Sequence, residues 1–321
     1  MNKNFKSGFV AIIGRPNVGK STLLNQILGQ KIVITTDKAQ TTRKRIKGIL
    51  TTEKGQIVFI DTPGVHKPLN KFGEFLLDEA KVSVPDADLI LFLVDGSEPA
   101  GKGDKWIAEN ILSQAKAPVL LVLNKIDKIK KTDKVEENIL SYKTLFTSLT
   151  RSFGAAPTGS HVSFLDGSLC NLSLLTVSAK TGRNKNELIE AILNALPQGQ
   201  MLYPEDVITE ETMRQVAEEI IREKILINTK EEVPHSTAVL IEKYEETDKI
   251  DRIFASIFCE TKSQKGILIG KGGSLLKKIG TEARLELEEI LEKKVYLELN
   301  VKIEKDWRKN KNALKTFGYE Q

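Results

Sequence analysis

Phe9-Val10-Ala11-Ile12-Ile13-Gly14-Arg15-Pro16-Asn17-Val18-Gly19-Lys20-Ser21-Thr22 is the stretch that decides the fold. Its first five residues are a short, β-branched apolar run that reads as a buried strand. Gly14 to Ser21 then match the spacing G-x-x-x-x-G-K-[ST], after that strand and before a helix beginning near Ser21. In this setting the glycines let backbone N–H groups turn inward. The helix N-terminus adds its positive end, and the loop becomes a cradle for phosphates. Lys20 is placed to reach the β- and γ-phosphates, and the Ser21 hydroxyl to bind Mg²⁺. Gly14 through Thr22 are therefore candidate nucleotide-binding residues.

Outward from this loop, Ile57–Ile60, Leu89–Val94, Pro118–Leu123 and Leu172–Val177 are further short apolar runs between helix-like segments. Strands apolar on both sides of the alternation lie inside a parallel sheet covered on both faces. Ile46–Leu50 precedes Ile57–Ile60 by a short turn, which suits an antiparallel hairpin. The expected first domain is thus α/β, a mixed, mostly parallel sheet with helices on both faces. Three more motifs sit at strand ends, where such sheets bind ligands.

Asn124-Lys125-Ile126-Asp127 ends the run Pro118–Leu123. A carboxylate there accepts hydrogen bonds from N1–H and the 2-amino group of guanine. Adenine offers neither and leaves the carboxylate unpaired, a discrimination on the order of 10⁴. This argues against an ATP-using enzyme. Asp61-Thr62-Pro63-Gly64 resembles the D-x-x-G motif of P-loop GTPases, which implies that Asp61 holds the Mg²⁺ shell and that the Gly64 N–H senses the γ-phosphate. Ser178-Ala179-Lys180 resembles the segment that supports the base in the same proteins. Their switch threonine falls in Lys38-Ala39-Gln40-Thr41-Thr42-Arg43, where Thr42 precedes the arginine and Thr41 is the alternative ligand. Val65 stands where Ras-type proteins carry the water-orienting glutamine. GTPases resembling this chain in G-x-P-N-V-G-K-[ST] use the loop asparagine, here Asn17, to seat K⁺ beside the phosphates near Lys20. The resemblance implies slow intrinsic hydrolysis accelerated by K⁺. His66 as a base is the weaker reading, since a switch histidine is more often solvated.

The chain has 321 residues, 40% hydrophobic and 28% charged, which fits an ordered protein of two domains. No apolar run approaches the roughly 18 residues of a membrane span, and the N-terminus lacks a signal-peptide core. Two cysteines, Cys170 and Cys259, without metal-ligand spacing point to a reduced, cytosolic protein. The net charge is +5, yet residues 207–321 hold 21 basic and 22 acidic side chains. Any nucleic-acid site there must be a local patch. Pro197-Gln198-Gly199-Gln200 marks a boundary. It separates a first domain, 1–197, with an aperiodic Gly/Ser/Ala-rich insertion at about 153–171, from a linker, 198–206. A second domain, 207–303, and a basic tail, 304–321, follow.

The second domain reads as a helix from Thr212, two strands, a short helix, a glycine loop, a helix and a strand. Gly266-Ile267-Leu268-Ile269-Gly270-Lys271-Gly272-Gly273 leads into a helix carrying Lys277 and Lys278. It looks like the core of a KH domain, whose G-x-x-G loop clamps about four nucleotides. Gly270 and Gly273 frame the loop, and Ile267, Leu268 and Ile269 are expected to pack beneath it. Lys262, Lys265, Lys271, Lys277 and Lys278 have no acid among them, and this is the local patch. The element order is similar to the α-first, type II KH domain, an α+β fold. A GTPase joined to it resembles the Era family of bacterial ribosome-assembly GTPases, including Asp61 to His66 and Asp306-Trp307-Arg308-Lys309-Asn310. The resemblance implies a cytoplasmic monomer with Mg²⁺ and GTP or GDP as ligands. It also implies binding of small-subunit ribosomal RNA near its 3′ end and assistance to assembly of the small ribosomal subunit. Peripheral membrane contact is implied too, and a GTPase acting at the membrane or in cell-cycle control is the alternative. The stretch from Asn124 to Ser178 is longer than the family pattern.

Overall fold

A computed structural model describes residues 4–38, 41–68, 71–129, 132–152 and 175–319. The expected insertion at 153–171, with Cys170, lies outside them. The chain divides into two compact units. One comprises Met1–Val33, Thr42–Leu69 and Leu76–Glu210; the other comprises Ile34–Thr41, Asn70–Phe75 and Glu211–Gln321.

The first unit is built on a six-stranded sheet in the order β2-β3-β1-β4-β5-β6. The strands are β1 (Lys6–Ile13), β2 (Ile46–Thr52), β3 (Gly55–Asp61), β4 (Leu89–Asp95), β5 (Val119–Asn124) and β6 (Leu175–Thr176). β2 pairs antiparallel to β3 and the remaining pairs are parallel. β3, β4 and β5 are buried along their whole length, which is why their sequences show apolar runs instead of alternation. The helices are α1 (Lys20–Leu28), α2 (Lys71–Val82, of which residues 76–82 belong to this unit and 71–75 to the other), α3 (Lys102–Asn110), α4 (Thr132–Ser152) and α5 (Lys185–Ala195). Leu23, Leu24 and Ile27 of α1 join Leu188 and Ile192 of α5 in one core layer. Ile107 and Ala108 of α3 and Tyr142 of α4 join the other. All nucleotide motifs follow the C-terminal ends of β1, β3, β5 and β6.

Residues 198–210 belong to this unit and form a strap along its edge. Thr209 bridges Gly48 of β2, and the Ile49 N–H donates to the Ile208 carbonyl at 2.7 Å. Gln56, fully buried, fastens the strap: its Nε2 donates to the Tyr203 carbonyl (2.9 Å) and its Oε1 accepts from the N–H groups of Leu202 and Tyr203 (2.8 and 2.9 Å).

The second unit carries β7 (Ala238–Glu245), β8 (Ile250–Cys259) and β9 (Lys294–Ile303), with β8 central, β7 antiparallel to it and β9 parallel. Helices α6 (Met213–Asn228), α7 (Lys262–Ile269) and α8 (Ser274–Leu291) share a core with the sheet through Ile221, Leu268, Ile279, Leu287, Ile253 and Val295. Thr212 and Gln215 cap α6 reciprocally, and Thr261 and Gln264 cap α7 in the same way. Cys259 is buried, as a small apolar residue at this place would be. Residues 304–321, read from the sequence as a basic tail, include a folded segment. Trp307 is fully buried with its Nε1 donating to the Ser236 carbonyl at 2.9 Å, and α9 (Lys311–Thr316) brings Phe317 within 4.7 Å of the Phe258 ring. Phe72 also packs in this cluster, 5.6 Å from the Trp307 ring and 5.4 Å from that of Tyr319.

Candidate nucleotide and RNA sites

β1 delivers Gly14 to the turn, and Gly19 at φ 98° starts α1. That left-handed conformation suits glycine, and a Cβ on Gly19 would stand 2.3 Å from Nδ2 of Asn124. Lys20 is buried, with Nζ donating to the carbonyls of Gly14 (3.3 Å) and Arg15 (3.1 Å). Burial pushes its ammonium down to about 8, with the charge of Asp61 opposing the shift. Burial likewise raises the Asp61 carboxyl, against Lys20, Ser21 and Thr42. A phosphate ligand would oppose this shift and further favour the charged form of Lys20.

Ser21, Asp61 and Thr42 meet. The Ser21 hydroxyl donates to Asp61 Oδ2 at 2.7 Å and lies 2.8 Å from Thr42 Oγ1, which is itself 3.3 Å from Asp61 Oδ2. Asp61 Oδ1 is buried and has no hydrogen-bond partner. A buried carboxylate oxygen without a donor, beside two hydroxyls, fits a hard cation that takes one or two protein oxygens and completes its shell with phosphate and water. Thr41 turns elsewhere: its hydroxyl donates to the Lys38 carbonyl at 2.7 Å and lies 2.8 Å from that of Thr36. Ala39 and Gln40 lie outside the described residues.

Thr62 secures the loop after β3 by donating to the Ile12 carbonyl at 2.7 Å. Pro63 and Gly64 are buried there, and a Cβ on Gly64 would meet Pro16 Cα at 2.6 Å. Val65 is 1% exposed and donates its N–H to the Gly14 carbonyl at 3.1 Å, so it contributes no polar side chain. His66 keeps its Nδ1 2.9 Å from the Lys67 carbonyl. Asn17 is exposed in the loop at φ 62°. Arg15 belongs to the loop by its backbone alone; its guanidinium is held by Asp104 (2.8 Å) and Glu98 (2.7 Å).

The base-side motifs converge by way of Asn124. Its Nδ2 donates to the Val18 carbonyl and its Oδ1 accepts from the Ala179 N–H, both at 2.8 Å. Ser178 donates to Asp127 Oδ1 at 2.6 Å, while Lys180 is exposed. Lys125, at φ 64°, is held by Asp95 at 2.7 Å. Burial favours the neutral form of Asp95, but the donors Lys125 and Ser97 outweigh it and hold its carboxyl low. Asp95 was missed from the sequence. Its signal is a carboxylate ending β4 in register with Asn124.

In the second unit, Gly270, Gly272 and Gly273 have φ of 72°, 61° and 80° and join α7 to α8. Lys271, Lys277 and Lys278 are exposed around this turn and Lys265 is half-buried. Leu268 is buried and Ile269 partly so, but Ile267, expected beneath the loop, is 48% exposed. Three consecutive helical residues span about 200° of the helix circumference, so one must face outward. Among the described residues no group of three His, Cys, Asp or Glu gathers as a metal site, and no helix is long and apolar enough to cross a membrane.

A family model described as a 50S ribosome-binding GTPase matches residues 9–125, and a KH-domain model matches residues 232–308. GTPase Era of Heliobacterium modesticaldum is 44% identical over 320 residues, covering 99% of both chains. The chain belongs to the Era family of GTPases. Another relative, GTPase Era of Nostoc sp., is 44% identical over 316 residues, which are 98% of this chain and 90% of that one. A crystal structure of Era with MgGDPNP and nucleotides 1506–1542 of 16S ribosomal RNA is similar at 39% identity and TM-score 0.86, covering 99% of this chain and 100% of that one. An Aquifex aeolicus Era variant bound to GDP and AlF4⁻ is similar at 39% identity and TM-score 0.85, over the same shares.

Proposed function

We propose that this GTPase binds GTP at residues 14–22, 61–64, 124–127 and 178–180, and small-subunit ribosomal RNA near its 3′ end through the loop at 270–273, to assist small-subunit assembly. The observation that carries the reading is the meeting of Ser21, Thr42 and an Asp61 carboxylate with one unpartnered oxygen, in a chain that also bears a basic glycine loop. Residues 1–197, with the strap at 198–210, serve as the GTP domain and residues 211–303 as the RNA domain. The GTPase model's description names the 50S subunit, but its match covers the first domain alone; the 16S complex is similar along nearly the whole chain and is the better guide.

In the GTP site, loop N–H groups and Lys20 hold the phosphates, and Asp127, steadied by Ser178, accepts from guanine. Mg²⁺ held by Ser21 and Thr42, with Asp61 behind them, would neutralise charge on the β- and γ-phosphates. Val65 cannot orient water, so hydrolysis rests on charge neutralisation and is slow. A K⁺ ion seated by Asn17 would add positive charge where it develops in the transition state. Replacing K⁺ by Na⁺ in a turnover assay lowers the rate if Asn17 has this role and leaves it unchanged if it has not.

On the RNA domain, the lysines around 265–278 take phosphates and exposed Ile267 offers an apolar contact to bases. The test is RNA affinity in the GDP and non-hydrolysable GTP states, with a ribosomal 3′-end oligonucleotide against a scrambled one. A Cβ at Gly272 meets nothing within 4 Å, but the residue sits at φ 61°, so Gly272→Asp adds a negative charge together with left-handed backbone strain that aspartate tolerates better than most residues. Selective binding, tighter with the GTP analogue and lost in Gly272→Asp, is expected. Equal binding of both oligonucleotides would refute the ribosomal target.

A further inference from the structure

Arg222 on α6 is 1% exposed, although a buried guanidinium costs several kcal/mol in desolvation. Its Nε and Nη2 donate to the two carboxylate oxygens of Glu219, at 2.9 and 2.5 Å. Nη2 also donates to the carbonyl of Thr41, and Nη1 is buried without a partner. Three further bonds to α6 and its C-cap hold the same segment. The Thr35 N–H donates to Glu223 Oε1 at 3.1 Å, and Lys38 Nζ donates to the carbonyls of Leu226 and Thr229 at the end of α6. Positions 219, 222, 223 and 226 are spaced three, four and seven apart, and form one face.

A leucine or methionine would fill this volume without the desolvation cost. What the guanidinium adds is a charged donor to one carbonyl oxygen, that of the residue before Thr42. The peptide between Thr41 and Thr42 is planar, so holding the Thr41 carbonyl restricts the approach of Thr42. Its hydroxyl is the one that stands 2.8 Å from Ser21 and 3.3 Å from Asp61.

We propose that Arg222 is a positioning residue for Thr42, so that the Mg²⁺-dependent preference for GTP over GDP is set in part from α6. The proposal rests on Thr42 being a ligand of Mg²⁺. Binding of fluorescent GDP and of a non-hydrolysable GTP analogue to the full chain, each with Mg²⁺ and with EDTA, tests it. Loss of a hydrogen bond from a charged donor is worth about tenfold. Arg222→Met should lower the Mg²⁺-dependent gain in analogue affinity by about that factor and leave GDP affinity unchanged, and Arg222→Lys should restore most of the gain. Lys38→Met, at a half-buried position, should lower it by a smaller factor. A folded Arg222→Met with the wild-type gain overturns the proposal, as does an equal loss for both nucleotides with and without Mg²⁺. Should Arg222→Met lose its thermal transition, a wild-type gain in Lys38→Met overturns it instead. Thr42→Ala with an unchanged gain would show that the reading beneath the proposal is itself wrong.

Discussion

Replacing Asn124 with alanine deletes an amide that is 1% exposed and joins two loops of the nucleotide site. The Val18 carbonyl loses its donor and the Ala179 N–H loses its acceptor, each bond being 2.8 Å long. Val18 and Ala179 are 2% and 3% exposed, so water reaches the orphaned groups poorly. Each buried group left unsatisfied costs about 1–3 kcal/mol, so the pair costs about 2–6 kcal/mol, with the vacated volume adding toward the upper end. Asn124→Asp separates the two bonds: it keeps an acceptor for Ala179 but sets a buried carboxylate against the Val18 carbonyl. The charge outweighs the bond it keeps, so Asn124→Asp should be at least as destabilised as Asn124→Ala. Urea unfolding followed by far-UV circular dichroism measures the stability, and release of fluorescent GDP measures the site. Loosening both the phosphate loop and the Ser178–Lys180 loop should speed release by at least tenfold, which corresponds to about 1.4 kcal/mol. Stabilities within about 0.5 kcal/mol of wild type in both variants, with unchanged release, would refute the reasoning.

Asp127→Asn replaces an acceptor with a donor opposite the guanine 2-amino group. GDP affinity should fall by a factor on the order of 10³–10⁴, while a base with a 2-oxo group should gain, as competition between the two diphosphates would show. Gln56→Leu unfastens the strap at 202–203 and should cost about 2 kcal/mol and speed proteolysis within 199–206; Gln56→Glu keeps the acceptor for both N–H groups but sets a buried carboxylate against the Tyr203 carbonyl, so it should lose at least as much. Asp251, 1% exposed, would be raised by burial, but donation from Tyr244 (2.9 Å) and Lys293 (3.2 Å) outweighs this and leaves its carboxyl below the usual range. A depressed carboxyl stabilises the fold above its unfolded value, about 3.9, and that contribution fades as pH falls through the folded value. The stability gap between wild type and Asp251→Asn should therefore narrow from pH 5 downward in acid unfolding. A gap constant with pH would show that the carboxyl is not depressed.

What could be read from the sequence is what chemistry confines to a few adjacent residues. The phosphate loop, Asp61–Gly64, Asn124–Asp127 and Ser178–Lys180 each follow a strand whose apolar run is legible, and a cradle or a carboxylate works only at that spot. The mostly parallel sheet with one antiparallel pair was legible because the strands alternate with helices, save for the short turn before Gly55. Ile267 escaped because an apolar triplet does not tell which member faces outward. Asp95, Gln56 and Arg222 escaped for a different reason: each does its work across the fold. Arg222 reaches a carbonyl 181 positions away, and in sequence it sits in Glu218-Glu219-Ile220-Ile221-Arg222-Glu223, where no motif marks it. Burial is what sets it apart. Lys20, Asp61, Arg222 and Glu223 are at most 6% exposed, and ionisable side chains are kept at such depth at a desolvation cost that apolar side chains would avoid. The first two stand in the nucleotide site itself; the other two hold the segment that ends beside Thr42. Where a chain keeps ionisable groups in its interior, the sequence motif shows where the chemistry is done, and the buried polar groups outside the motif point to the distant elements that chemistry depends on.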